Sequence, residues 1–196
     1  DQYSIDYDAL AEAQGFADEL NQALGGSPIV LTVPIAPAVG VYDATVSVVN
    51  SVSGCAGNTY PITVTVEDVP TINLINPNNA ICQGTTTLDV TFAGTTNGPD
   101  VYSLDYDAAA NGQGFVDVVN GALVFPTITY TVPAAPAAAT YTAALTVTNS
   151  TTRCTSSPYS TTVTVNETPT ITLGANPAFC QGATTYSLTY LATTGV

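Results

Sequence analysis

Residues 103–119 read SLDYDAAANGQGFVDVV, and residues 4–20 read SIDYDALAEAQGFADEL. The two stretches lie 99 positions apart (103 − 4), and the likeness extends on both sides of them. At that offset 36 of the first 72 positions are identical, among them Tyr3/Tyr102, Asp6/Asp105, Phe16/Phe115, Pro34/Pro133, Tyr42/Tyr141, Cys55/Cys154 and Pro70/Pro169. After a one-residue deletion the match resumes, with ICQGTTTLDVTF from Ile81 answering FCQGATTYSLTY from Phe179. A period near 100 residues is the size of a domain and exceeds the 20–50 of solenoid repeats. The expectation is therefore a string of like domains, an arrangement that serves reach better than catalysis.

The best punctuation is VEDVPT (Val66 to Thr71) and VNETPT (Val165 to Thr170). In each, a strand-like run gives way to acidic or polar residues and then to Pro, which disfavours helix in the residue before it. Boundaries there make 1–68 the later part of one repeat, 69–168 a complete repeat and 169–196 the opening strands of the next. The sequence starts without Met and is nearly cyclic. Its end, LATTGV, and its start, DQYSIDYD, together mimic the internal AGTTNGPDVYSLDYD. This suggests a piece of a longer array whose incomplete ends are completed by neighbouring protein.

Within one repeat, apolar residues alternate with polar ones at the period of a half-buried strand. Ile72 and Leu74 open the series, followed by Leu88/Val90/Phe92, Tyr102/Leu104/Tyr106, Ile128/Tyr130/Val132, Tyr141/Ala143/Leu145/Val147 and Tyr159/Thr161/Val163/Val165. One segment departs from this. Leu10, Ala13, Phe16, Ala17, Leu20, Ala23 and Leu24 recur at helical spacing, with Asp8 as N-cap and Gly25 as stop. The second copy carries Gly112 and Gly114 inside that pattern, and each interior Gly costs a helix about 1 kcal/mol, so its helix is expected to be shorter. Six or seven short strands and one helical crossover make a mainly β fold, a β-sandwich, in each repeat.

Composition narrows the function. Hydrophobic residues make up 45% of the chain, enough for a core, whereas charged residues make up only 8%. Fifteen acidic residues face a single basic one, Arg153, with no Lys and no His, for a net charge of −14. Nucleic acid and anionic membrane surfaces are excluded as partners, since both are bound through cationic groups. No apolar run approaches the roughly 20 residues of a membrane helix, so direct membrane insertion is not expected. Without His, imidazole triads and His-based zinc sites cannot be built. Without Lys there is no Lys–Asn isopeptide crosslink, and Arg153 is the one trypsin-type site.

The segments PTITLGANPAFCQG, YSLDYDAAANGQGFVDVVN, VPAAPAAATYTAALTVTNSTTRC and YSTTVTVNETPT together resemble the tandem PKD-like, immunoglobulin-like repeats of the giant SprB-type gliding-motility surface adhesins of the Bacteroidetes. The resemblance covers essentially the whole chain. TTRC (Thr151 to Cys154) departs from it, since many such repeats place Gly before the Cys. It implies tandem immunoglobulin-like β-sandwiches in the shaft of a long, extracellular, cell-surface filament exported by type IX secretion. Such a filament is carried by the gliding machinery and adheres to external surfaces or polysaccharide through other regions. The implied partners of this segment are neighbouring repeats.

Candidate sites are few. Asp105 and Asp107 sit two apart on one strand and, with Asp100 and Asp117, could offer carboxylate oxygens to calcium. The competing reading is a solvated strand face opposite Tyr102, Leu104 and Tyr106, and no calcium-loop pattern is present. Otherwise no cofactor is implied. A carboxylate pair also suits glycoside hydrolysis, but no cleft or sugar-stacking Trp accompanies it, and no enzyme activity is expected. Asn111 to Gly114 (NGQG) reads as a helix interruption, not a phosphate loop. Asn149 and Asn166 open glycosylation triplets of the sort chance supplies in a Thr-rich chain. Tyr141 and Tyr42 read as tyrosine corners, each hydroxyl bonding back to the preceding turn. The cysteines Cys55, Cys82, Cys154 and Cys180 are disulfide candidates. Cys82–Cys154 within a repeat is one pairing. In an immunoglobulin-like order, however, these two lie at opposite poles, roughly 20 Å apart, and a cross-repeat bond then fits better, leaving no pair inside this chain. The rival to a shaft is an array of carbohydrate-binding modules, which calls for an exposed row of Tyr where the shaft calls for burial of Tyr102, Tyr106 and Tyr141.

Overall fold

A computed structural model describes residues 1–194. The chain divides into two compact units, Asp1–Asp68 and the residues from Val69 onward. Both are mainly β, as the alternating patterns predict.

The first unit is one four-stranded antiparallel sheet. Its strands are β1 (Gln2–Tyr7), β2 (Glu19–Ala23), β3 (Gly40–Val49) and β4 (Ala56–Val66), in the order β2-β1-β3-β4. A short helix, α1 (Ala9–Ala13), follows β1. The core on this sheet gathers Tyr3, Ile5, Tyr7, Ala11, Phe16, Tyr42 and Ala44.

The second unit opens with β5 (Thr71–Leu74), β6 (Asn78–Cys82) and β7 (Thr87–Thr96). It continues with β8 (Val101–Tyr106), α2 (Ala108–Gly112), β9 (Val118–Ala122), β10 (Thr127–Thr131), β11 (Ala139–Thr148) and β12 (Tyr159–Asn166). A three-stranded sheet, β10-β7-β5, faces a five-stranded one, β6-β12-β11-β8-β9. Their inner faces share one core, in which Val90, Leu145 and Val147 are wholly buried. Two packed sheets arise because each strand carries a one-sided apolar row that only a facing layer can cover. The last strands, β13 (Thr170–Leu173) and β14 (Tyr190–Thr194), form an antiparallel pair of their own. Among the described residues no helix is long and apolar enough to cross a membrane.

The helical segment corrects the sequence reading in two ways. No helix runs from Leu10 to Leu24, and the second copy's helix is no shorter than the first, each having five residues. Asp8 is the N-cap expected, its Oδ1 accepting the Ala11 N–H at 2.7 Å, whereas Asp107, read from the sequence as a strand residue, caps the second helix in the same way, its Oδ1 accepting the Ala110 N–H at 2.7 Å. The stop comes early, at Gly15 and Gly114, both at φ +92°. That is left-handed backbone that favours Gly, and it ends the helix within two turns. Beyond it Phe16 and Phe115 turn inward, and residues 19–23 and 118–122 form the edge strands β2 and β9. The apolar residues beyond the Gly that suggested a longer helix are therefore divided: Phe16 is buried, and Leu20 is exposed on a strand.

The first strand of the complete repeat, β5, lies in the sheet opposite the last strand, β12. The strand that pairs with β12 is β6, in parallel register from Thr162↔Asn78 to Asn166↔Cys82.

Candidate functional site

The repeated motif builds the same small assembly in each unit. Phe115 packs between Tyr106 and Tyr141 with tilted rings, the centroids 5.0 and 4.9 Å away. Phe16 does so between Tyr7 and Tyr42, at 5.3 Å from each. Asp117 Oδ1 accepts the Tyr106 N–H at 2.8 Å, and Asp18 Oδ1 the Tyr7 N–H at 2.9 Å, tying the segment after each Phe to the strand before the helix. The Gln before each Gly grips a distant loop: the Ala137 N–H donates to Gln113 Oε1 at 2.9 Å and the Ala38 N–H to Gln14 Oε1 at 2.8 Å. The carbonyls of these same two alanines accept the Tyr141 and Tyr42 hydroxyls, at 2.7 and 2.6 Å. These are the tyrosine corners expected from the sequence. Gln113 and Tyr141 thus clamp Ala137 through its N–H and its carbonyl, as Gln14 and Tyr42 clamp Ala38.

This accounting places the four acidic calcium candidates separately. Asp100 binds the β11–β12 turn, accepting the Ser150 N–H at 2.7 Å and the Ser150 hydroxyl. Asp105 is exposed on β8. Asp107 leaves the strand to cap α2, and its second oxygen accepts the Thr142 hydroxyl. Asp117 is occupied by Tyr106. Ser103 is likewise engaged, its Oγ accepting the Asn120 N–H at 3.2 Å. On this strand face Asp105 is exposed, while Ser103 and Asp107 are half-buried. The Ser150 hydrogen bonds hold the Asp100 carboxyl below the usual carboxylate range, and those from Thr142 and Ala110 do the same for Asp107. No group of three or more acidic or Cys side chains among the described residues is arranged to hold a metal ion.

Asp105 and Asp107 do line one open recess of about 430 Å³, with Thr142, Ala144 and Ser160. The corresponding recess of the first unit, about 610 Å³, carries Asp6, Asp8 and Asp43. Tyr106 and Tyr141 lie in the core and Tyr102 is half-buried, so the three form no exposed row. The hydroxyls of Tyr106 and Tyr130 are buried without a hydrogen-bond partner. Burial pushes both phenols up, Tyr130 to about 12.

All four cysteines are unpaired. Cys82 ends β6 beside Asn166, whereas Cys154 sits in the turn before β12. The 159–166 strand between them spans roughly 23 Å at about 3.3 Å per residue, against the 7 Å that a disulfide tolerates. Cys55 occupies the matching turn between β3 and β4, and Cys180 lies in the segment joining β13 and β14.

The strand β6 escaped the sequence reading. Its stretch NNAIC alternates half-buried Asn79 and Ile81 with exposed neighbours, a real but short period-2 signal hidden in polar residues. No protein-family model matches the chain, and a search of curated proteins finds no match.

Proposed function

We propose that this chain is a non-enzymatic shaft segment of a long, repetitive, extracellular adhesin filament of the gliding-motility type, with immunoglobulin-like, PKD-like repeats as its units. Its task is to span distance and carry load, with neighbouring repeats as its partners; adhesion and attachment to the gliding machinery belong to other regions. The observation that carries this reading is the pairing of β6 with β12. The strand near the start of the complete repeat runs parallel to the strand that ends it. Tension between the two ends then acts along both strands in opposite directions and loads their hydrogen bonds together, in shear. Side chains reinforce the seam: the Thr162 hydroxyl donates to Asn78 Oδ1 at 3.0 Å and the Thr168 hydroxyl to the Gln83 carbonyl at 3.1 Å. Duplication of the clamp in both units also suits a module selected for copying more than for a unique surface.

Two experiments test the reading. Single-molecule stretching of the chain is expected to show a cooperative rupture from residues 69–168 that weakens when Ile81→Pro removes a β6 donor facing β12. A repeat that peels apart with no force peak would contradict the load-bearing role. Antibodies raised against the chain should label filaments on intact cells that make the parent protein, and labelling confined to the cell interior would refute the surface assignment.

A further inference from the structure

We propose that the Asn97–Gly98 step is a site of spontaneous covalent modification, where Asn97 converts to aspartate and isoaspartate through a succinimide ring ahead of the chain's other Asn–Gly steps. The inference does not depend on the adhesin reading, and every group in it lies within residues 69–168. In this reaction the backbone nitrogen of the residue after Asn attacks the side-chain amide carbon. A bond forms between that nitrogen and Cγ, the nitrogen gives up its proton, and the Cγ–Nδ2 bond breaks to release ammonia. Water then adds to one carbonyl of the ring and opens it. Opening on one side restores an ordinary backbone with Asp. Opening on the other leaves isoaspartate, in which the main chain runs through Cβ and Cγ. Water is the only co-reactant, and nothing is oxidised or reduced.

Glycine after Asn favours the attack because no Cβ crowds the nitrogen. The chain has three such pairs, Asn97–Gly98, Asn111–Gly112 and Asn120–Gly121. All three asparagines are exposed, so exposure does not choose among them. What holds the glycine nitrogen does. Gly112 is the last residue of α2, where the helix ladder directs its N–H to the Ala108 carbonyl. Gly121 pairs with Tyr102 in the β8–β9 ladder. Two residues further on, the Leu123 N–H donates to the Asp100 carbonyl at 2.9 Å. Bonded positions in an antiparallel pair recur at every second residue, so the Gly121 N–H is engaged by the Tyr102 carbonyl. Gly98 lies in the turn between β7 and β8, outside both strands. Among the described residues no hydrogen bond engages its N–H. The turn itself selects the reactive pair: φ is +54° at Asn97 and +55° at Gly98, left-handed backbone that Gly and Asn adopt most readily.

The side chain of Asn97 does not set it apart, since its Nδ2 donates to the Val69 carbonyl at 2.9 Å much as Asn111 Nδ2 donates to the Tyr106 carbonyl at 3.1 Å. It does fix the consequence. Val69 is where the second unit begins, and loss of ammonia removes the donor that holds it. A carboxylate is left against the Val69 carbonyl, two acceptors without a proton between them. The Asn97 carbonyl in turn accepts Asn149 Nδ2 at 3.0 Å, so a backbone lengthened by isoaspartate also disturbs the tie to the β11–β12 turn. The reaction thus loosens the start of the repeat and adds a negative charge there.

The test is incubation of the intact chain in mildly alkaline buffer, then digestion with pepsin in acid and mass spectrometry of the peptides, with Asp and isoaspartate separated by chromatography. Asn97 is expected to convert about fivefold faster than Asn111 or Asn120, or more, the rate equivalent of the one hydrogen bond that must open at either of the others. In urea, which removes the fold, the three rates should converge. Gly98→Ala should slow conversion at Asn97 and leave the other two pairs unchanged. An Asn97→Asp chain should melt a few degrees below the parent. Conversion of Asn111 or Asn120 as fast as Asn97 in the folded chain, no conversion of Asn97 where the unfolded chain converts, or a preference for Asn97 that survives in urea would overturn the proposal.

Discussion

Residues 1–68 and residues 69–168 contain the same sheet, and only one of them contains a sandwich. The order β2-β1-β3-β4 repeats as β9-β8-β11-β12, with the same Phe plug, tyrosine corner and glycine stop. What differs is the opposite layer. Over residues 69–168 the β10-β7-β5 sheet buries Val132 to 3% exposure, while its counterpart Val33 stays 68% exposed. Burial in this module is thus a property of two layers together. The clamp around Ala38 and Ala137 uses nothing from the facing sheet, because its partners all lie between the short helix and the tyrosine corner. The core does, because half of it arrives from strands that precede the clamp in the chain.

Several outcomes would separate these two levels. The largest effect is expected from Phe115→Ala, about 3–5 kcal/mol off the unfolding free energy of the complete repeat, read from denaturant melts. Phe16→Ala should cost less, because its unit has no facing sheet to lose; equal losses would mean that the two plugs sit in equivalent cores. Next comes Gly114→Ala. At φ +92° a side chain is strained, although Pro133 Cβ lies at an ordinary 3.6 Å from the new Cβ. A loss of about 1–2 kcal/mol is expected from the backbone alone, and Gly15→Ala should behave alike, since this part of the module is local. Smaller still is the contrast between two tyrosines. Tyr141→Phe removes the bond to Ala137 and should cost about 0.5–1.5 kcal/mol. Tyr106→Phe deletes a buried hydroxyl without a partner and should be neutral or stabilising; an equal loss at both would show that the Tyr106 hydroxyl is satisfied after all.

The weakest expected effect is on pH. The Asp100 and Asp107 carboxyls are lowered in the fold, so the stability they contribute is fully present above the ordinary carboxylate range. It is lost as pH falls through that range and below it. Asp107→Asn should flatten the acid limb of the stability curve, and an unchanged limb would exclude the cap as its source.

Most of the strands were legible in the sequence because each buries one face, and alternation is the direct record of that. The tyrosine corners and the Asp8 cap were legible for a similar reason, as side-chain chemistry at fixed local offsets. The helix length was misread because Leu20 and Leu24 happen to continue a 3.6-residue period past Gly15, and the left-handed turn there overrides periodicity. The strand β6 was missed because its polar residues are held by pairing with β12, some 80 residues later in the chain, which leaves only the short alternation of Asn79 and Ile81 as a local trace. The carboxylates Asp100, Asp107 and Asp117 look like ligands by type and spacing, yet each is occupied by a backbone or hydroxyl donor that spacing alone does not reveal.

The central claim, that one module recurs and is completed only by its facing sheet, is tested most directly by residue-resolved hydrogen exchange on the dilute, monomeric chain. Backbone amides of β11 and β12 that lie in the two-layer core should exchange about two orders of magnitude or more slower than the matching amides of β3 and β4. Equal protection of the two sets in the monomer would mean that residues 1–68 close their core unaided, and would contradict the account.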